Sequence, residues 1–346
     1  MKKPLLQKFI TYCMTIILLA AMLGSFFPIQ TQAANIVVCI DPGHGGTNNG
    51  AHYFGLWEKD LTLIIANAMR EELMKYEGIT VVMTRTGDTT LSLEERAQIA
   101  ADAGADFLYC IHLNASEDHN LFGAEVWVSA FGEYYSRGKS FGTVELQQLS
   151  EDIGVYTARG VKTRLSADDG GDYYGIIKHS VNRGVTPALI EHCFMDETHD
   201  LNFYQSMEAL KLLGKADATA VAKYYGLSSS ILNVDYSSYA CPAFPVPTDV
   251  VMPDTTEPEV SRIELIGHNM VNNTASLHVY AADSDSKIIY YSYSCDGGKT
   301  WSKLWGWNAD GEGYITIPLP KNQVRNICIR VWNQYDKYTE SNHIIF

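Results

Sequence analysis

Ile36-Val37-Val38-Cys39-Ile40-Asp41-Pro42-Gly43-His44-Gly45-Gly46 is the stretch from which the fold can be read. Five consecutive apolar residues, four of them β-branched, predict a short strand buried on both faces. Asp41 and Pro42 end it. The glycines around His44 then form a turn that exposes one imidazole.

The same pattern repeats toward the C-terminus. Thr80–Arg85, Phe107–His112, Ala124–Ser129 and Ala188–Phe194 read as further strands. Between them Leu61, Ile64, Ile65, Ala68 and Leu73 recur at helical spacing. Ser92 with Glu95 has the spacing of a capping box, and further helices are predicted within 140–158 and 197–225. Such alternation predicts an α/β domain over residues 35–227, with a mostly parallel twisted sheet flanked by helices.

On the N-terminal side, Lys2, Lys3 and Lys8 precede a mainly apolar run from Phe9 to Phe27, and Thr31-Gln32-Ala33 offers small residues for cleavage. Residues 1–34 therefore read as a signal peptide, with an uncleaved membrane anchor as the alternative. Export implies an extracellular protein with no membrane contact after cleavage. The net charge of −14 becomes −17 without the leader, which holds three lysines and no acids. A chain this acidic is repelled by phosphate backbones, which excludes nucleic acid as a partner, and any affinity for an anionic surface must come from specific pockets.

Residues 228–258 change character. Ser228-Ser229-Ser230 is followed by Pro242, Pro245, Pro247, Pro253 and Pro258 with acidic and threonine residues between, the composition of an exposed linker. Beyond it, residues 259–346 carry short strands with turn signals (Ser276–Ala281, Ile288–Cys295, Tyr314–Pro318, Asn326–Trp332) and predict a small, Ig-like β-sandwich. Residues 35–227 are therefore expected to form a core that functions without the C-terminal part. Ser294-Cys295-Asp296-Gly297-Gly298-Lys299-Thr300-Trp301 resembles a single Asp-box hairpin and reads as a fold element. Trp301, Trp305 and Trp307 suit core packing better than a glycan-stacking face. The cysteines are widely spaced with no C-x-x-C pair, which speaks against a structural zinc knot. Three lie in apolar strands as small buried hydrophobes, while Cys295 and Cys328 could bridge strands of the sandwich.

Chemistry is expected where ligand-capable residues close strands or open a helix: His44, Glu58, His112 and Glu191. In parallel α/β sheets the carboxyl ends of strands form the ligand crevice, so these positions can bring two imidazoles and two carboxylates together. Two histidines and one glutamate form a ligand set for catalytic zinc that leaves a position for water. The second carboxylate is then free to move a proton. His52, His119, His179, His192 and His199 have no ligand-like context, and the Lys-Ser/Thr of a P-loop is missing after the glycines.

The motifs around these positions resemble the zinc N-acetylmuramoyl-L-alanine amidases, the Amidase_3 family. The likeness rests on Val38–Gly46 with Gly50-Ala51, Trp57-Glu58-Lys59-Asp60-Leu61, Met83–Asp88, Leu91–Arg96, Ile111-His112-Leu113-Asn114-Ala115, Arg159-Gly160-Val161-Lys162 and Pro187-Ala188-Leu189-Ile190-Glu191. It implies one zinc ion held by His44, Glu58 and His112, with Glu191 as catalytic acid/base. It also implies peptidoglycan as substrate, cut between the lactyl group of N-acetylmuramic acid and L-alanine. Leu113 and His192-Cys193-Phe194-Met195-Asp196 depart from the family's usual residues and bear on substrate fit. Arg85, Asp88 and Arg96 also match, and read as a buried ion-pair network holding the helix of 91–103. A zinc peptidase cutting within the stem peptide, or a non-catalytic wall-binding protein, would be the alternatives. The latter would be expected to lose a ligand or Glu191, and this chain keeps all four.

Overall fold

The computed structural model describes residues 35–154, 157–321 and 325–346, and the leader lies outside them. Six strands, β1 (Ile36–Pro42), β2 (Ile79–Met83), β3 (Phe107–Asn114), β4 (Ala124–Val128), β5 (Ala158–Lys162) and β6 (Thr186–Phe194), form one sheet in the order β2-β1-β3-β6-β4-β5. Every pairing is parallel except β6 with β4. The mostly parallel α/β sheet expected from the sequence is the one observed.

Helices cover both faces, as apolar strands of this kind require. On one face lie α1 (Glu58–Leu73), α3 (Gly132–Ile153) and α6 (Met207–Tyr225), packed on Ile40, Phe107, Tyr109, Ile111 and Val126. On the other lie α2 (Leu93–Asp102) and α4 (Gly175–Val181), packed on Cys39, Leu108, Cys110 and Leu189. α1 buries Leu61, Ile65, Ala68 and Leu73 of the stripe seen in the sequence, with Met69 beside them, while Ile64 is only partly buried. Each of the leucine, isoleucine and methionine side chains, fully buried, contributes about 1.5–3 kcal/mol. The capping box is formed: Ser92 Oγ accepts from Glu95 N at 3.2 Å, and Glu95 Oε2 accepts from Ser92 N at 2.7 Å.

Three local readings change. The helix expected within 140–158 runs instead from Gly132 to Ile153, and 158–162 is the edge strand β5. Its Ala-Arg-Gly-Val-Lys sequence gives no apolar run because Arg159 and Lys162 are buried against partner charges from elsewhere. The helix expected within 197–225 divides into α5 (Leu201–Tyr204) and α6, where Ser206 caps the second segment by accepting from Ala209 N at 3.1 Å.

The C-terminal residues form two antiparallel sheets. One is built of β7 (Val260–Asn269), β8 (Thr274–Ala282) and β10 (Glu312–Pro318). The other centres on β9 (Ile288–Ser294), β11 (Asn326–Asn333) and β12 (Tyr338–Glu340). Ile263, Leu277, Val279, Ile317, Ile327, Ile329 and Val331 fill the space between them. Trp307 belongs to this core, Trp305 is exposed, and Trp301 lies under the Arg330 guanidinium at 3.9 Å, so the three indoles do not form one face. The Asp-box hairpin is built as expected: Asp296 accepts from Thr300 N at 2.9 Å and Thr300 Oγ1 at 2.6 Å. Cys295 and Cys328 are both free thiols. Ser294, not Cys295, pairs with Cys328 in the sheet, so the Cys295 side chain starts toward the opposite face.

Residues 228–258 hold no long element, yet they lie on the α/β layer. Val251 N donates to Ala130 O, Thr163 Oγ1 to Val251 O, and Ser136 Oγ to Phe244 O. The sandwich reaches the same layer through buried polar groups. Arg159 Nη2 donates to both carboxylate oxygens of Asp336, at 3.0 and 2.9 Å, and Arg159 Nη1 donates to Tyr290 Oη at 2.8 Å. Tyr290 Oη in turn donates to Phe122 O. We predict that Asp336→Ala, which leaves the buried guanidinium short of one partner, costs about 1–3 kcal/mol, read as a lower midpoint in urea unfolding of the full chain. An unchanged midpoint would show that the contact is too solvated to matter.

Candidate active site

The turn after β1 carries His44 in a left-handed conformation, φ 61°. Two arginines hold it there by collecting backbone carbonyls. Arg85 donates from Nε to Pro42 O at 2.9 Å and from Nη2 to Gly43 O at 2.7 Å. Arg96 donates from Nη1 to Asp41 Oδ1 at 2.7 Å and Pro42 O at 2.8 Å, and from Nη2 to His44 O at 2.5 Å. Asp88 accepts from Gly46 N at 2.6 Å and Lys59 Nζ at 3.0 Å. The residues expected to hold a helix therefore act chiefly on the His44 turn, because its carbonyls converge without a strand to take them.

His44, Glu58 and His112 meet at one point, their ligand atoms lying within 4.8 Å of one another. Glu58 Oε1 is 2.9 Å from His44 Nε2 and 3.0 Å from His112 Nδ1. Its other oxygen accepts from Ala51 N at 2.9 Å. Asn48 Oδ1 faces His44 Nδ1 at 2.9 Å, so that nitrogen carries the hydrogen and Nε2 turns inward. Two glycines make the approach possible. A Cβ on Gly43 would stand 2.4 Å from the His112 ring, and one on Gly50 would stand 2.5 Å from Glu58 Oε2. Burial pushes the Glu58 carboxyl up, but hydrogen bonds and charge from His112 and His44 outweigh it and hold the group below its usual range.

Glu191 stands beside this cluster through sheet register. It pairs with His112 on β3 and with Glu125 on β4, so the three side chains share one face. Glu191 Oε2 is buried with no hydrogen-bond partner among the described residues. Burial, with the Glu58 and Glu125 carboxylates added, pushes its carboxyl well above the usual range. Glu125 is the opposite case. Its Oε2 accepts from Lys162 Nζ at 2.6 Å and Arg159 Nε at 2.7 Å, and its Oε1 accepts from Asn114 Nδ2 at 2.9 Å and Trp127 Nε1 at 3.0 Å.

A bulge in β6 re-aims the residues that follow Glu191. His112 pairs with Glu191 but Asn114 pairs with Phe194, so one extra residue lies between. His192 and Cys193 both face the larger core as a result, and Cys193 is not beside Glu191 as alternation alone implies. His192 bridges His112 O (3.1 Å) and Asp217 Oδ1 (2.9 Å), with both side chains fully buried. Glu145 completes that group, its carboxyl pushed up by burial and by Asp217. Leu113 is buried there too, so Leu113 and His192 bear on packing rather than on substrate fit. Glu125 escaped the sequence reading; the signal available for it was a pair of basic residues, Arg159 and Lys162, flanking a glycine-valine step.

The family profile of the N-acetylmuramoyl-L-alanine amidases (Amidase_3) matches residues 38–223, more than half of the chain. The chain belongs to this family. It is 29% identical over 201 residues to the N-acetylmuramoyl-L-alanine amidase CwlM of Bacillus licheniformis, covering 56% of this chain and 71% of that one. It is 31% identical over 199 residues to the sporulation-specific N-acetylmuramoyl-L-alanine amidase of Bacillus subtilis, covering 56% and 70%. Among solved structures, Cwp6 from Clostridium difficile superposes with a TM-score of 0.51 at 31% identity, over 56% of this chain and 30% of that one. Membership makes this Amidase_3 protein a cell-wall hydrolase of a metal-dependent family, with peptidoglycan as its substrate. Among the described residues no helix is long and apolar enough to cross a membrane.

Lys162 and Arg159 outweigh the burial of Glu125 and hold its carboxyl down at about 2. Its folded value lies below its unfolded one, so its stabilising contribution is complete above about pH 4.5 and is lost as the pH falls toward about 2. Acid titration of stability should therefore be shallower in Glu125→Gln than in wild type across that window. Parallel curves would show that other carboxylates govern acid unfolding.

Proposed function

We propose that this Amidase_3 chain uses one zinc ion, held by His44, Glu58 and His112, to hydrolyse the amide between the lactyl group of N-acetylmuramic acid and the L-alanine of the stem peptide. The reading is supported above all by the convergence of those three side chains beside a buried carboxyl, Glu191. The donor set suits zinc: two imidazoles and a carboxylate, with Asn48 behind one imidazole to fix its tautomer. When bound, zinc would supply Lewis-acid polarisation of the scissile carbonyl and of the attacking water.

The remaining work falls to side chains of this chain. Glu191 accepts the proton of the attacking water and returns it to the leaving amine, a task suited to a carboxyl whose burial raises its proton affinity. Glu125, neutralised by Arg159 and Lys162, keeps its charge and anchors Asn114 beside His112. Two neighbouring carboxyl groups are thereby pushed apart in acidity. Residues 35–227 are proposed as the catalytic unit, acting outside the cell after the leader is removed.

Glu191→Gln keeps the size of the side chain but cannot carry a proton. Turnover of purified muropeptide should fall by about 10²–10⁴ while bound zinc is unchanged. His112→Ala should lose zinc and activity together. If Glu191→Gln loses both, it is a ligand and the assignment above is wrong. Mass spectrometry of the products should show intact lactyl carboxylates and peptides beginning with L-alanine; cleavage inside the peptide would make the enzyme a peptidase.

A further inference from the structure

A second group of metal-ligating side chains lies far along the chain from the first. Cys328 on β11, Glu340 at the end of β12 and His343 in the segment after it bring a sulfur, a carboxylate oxygen and an imidazole nitrogen within 4.8 Å of one another. Cys328 is fully buried, whereas Glu340 and His343 are about one-third exposed, so the group is reachable from solvent.

The hydrogen bonding behind these donors is what argues for a ligand. Asn326 Oδ1 faces His343 Nδ1 at 2.8 Å. An amide oxygen only accepts, so Nδ1 carries the hydrogen and the lone pair of Nε2 points at Glu340 Oε1, 3.2 Å away. A lone pair facing a carboxylate needs a cation or a proton between them. Asn326 is itself seated: its N–H donates to Cys295 O, and its side chain lies against Gly297 of the Asp-box hairpin. The orienting amide on β11 is thus held against the hairpin, the kind of support that orients metal-bound histidines.

Without an ion, protons satisfy the group: one sits on the imidazole, and the Cys328 thiol hydrogen-bonds with Glu340 and Ser294. Glu340 also meets Arg330 at 3.4 Å through its other oxygen. Burial, with Glu340 added, pushes the Cys328 thiol up to about 12, which leaves it inert as a nucleophile. A divalent ion reverses that balance, drawing the thiolate out and releasing the thiol proton to solvent.

We propose that Cys328, Glu340 and His343 form a second divalent-metal site, suited to zinc or a similar borderline-soft ion, which ties the chain's C-terminal segment to the sandwich. One thiolate, one imidazole and one carboxylate supply three donors, and solvent reaches the fourth position. The inference does not depend on the amidase reading, because the two sites share no residue.

Cobalt distinguishes them. The site at His44, Glu58 and His112 contains no sulfur, so a near-ultraviolet thiolate-to-cobalt band can arise only from cysteine ligation. The full chain, stripped by a chelator and reloaded with Co²⁺, should bind about two equivalents and show that band. Cys328→Ser should abolish the band and about one equivalent while leaving zinc-reconstituted amidase activity unchanged. His112→Ala should lose the other equivalent and keep the band. If Cys328→Ser does not fold, His343→Asn, at an exposed position, should weaken the band in its place. About one equivalent in wild type with no thiolate band overturns the proposal, as does a band that survives Cys328→Ser.

Discussion

Register across three neighbouring strands is the constraint on which the rest of this structure depends. Parallel pairing of β3 with β6 sets His112 beside Glu191, and antiparallel pairing of β6 with β4 sets Glu125 on the other flank. A slip of one residue would turn each of these side chains to the opposite face and into the core beneath. Continuous burial of β3 and β6 against helices on both sides resists such a slip, since it would exchange tightly packed side chains along the whole strand. The bulge that follows Glu191 is compatible with this because it begins only after the pairing with His112 is made.

Given that register, the chemistry of the site follows from how each carboxyl is compensated. Glu58 has two imidazoles, Glu125 has a guanidinium and an ammonium, and Glu191 has neither. Burial acts on all three in the same direction, so the difference among them comes from their partners. Part of that compensation reaches back to the C-terminal sandwich. Arg159, which neutralises Glu125, is also held by Asp336 and Tyr290. The sandwich therefore takes part in supporting the site.

Much of this was legible in the residues. The strand before His44, the amphipathic helix opened by Glu58 and the capping box at Ser92 are local patterns, set by side-chain period and by the hydrogen-bonding reach of a serine or glutamate. The strand at 158–162 was not legible, because its burial depends on partners more than thirty residues away: Glu125 on one side, Tyr290 and Asp336 on the other. The role of Arg85 and Arg96 was half legible. Two arginines near an aspartate suggested an ion-pair network, but their choice of the turn's carbonyls depends on where the chain doubles back.

By itself the sequence determined the α/β class, the family, and the four residues His44, Glu58, His112 and Glu191 as candidates, because each closes or opens an element and carries its motif with it. Tertiary structure alone decided which neighbours those residues meet. Alternation along β6 directs Cys193 toward Glu191, yet one extra residue in the strand sends it into the core with His192. Spacing cannot show that Cys328, Glu340 and His343 converge, since strand pairing across β11 and β12 brings them together. The physical reason is the same in each case. Local sequence sets the torsional and hydrophobic preferences of a segment, whereas contacts between segments are set by register and packing, which belong to the chain as a whole.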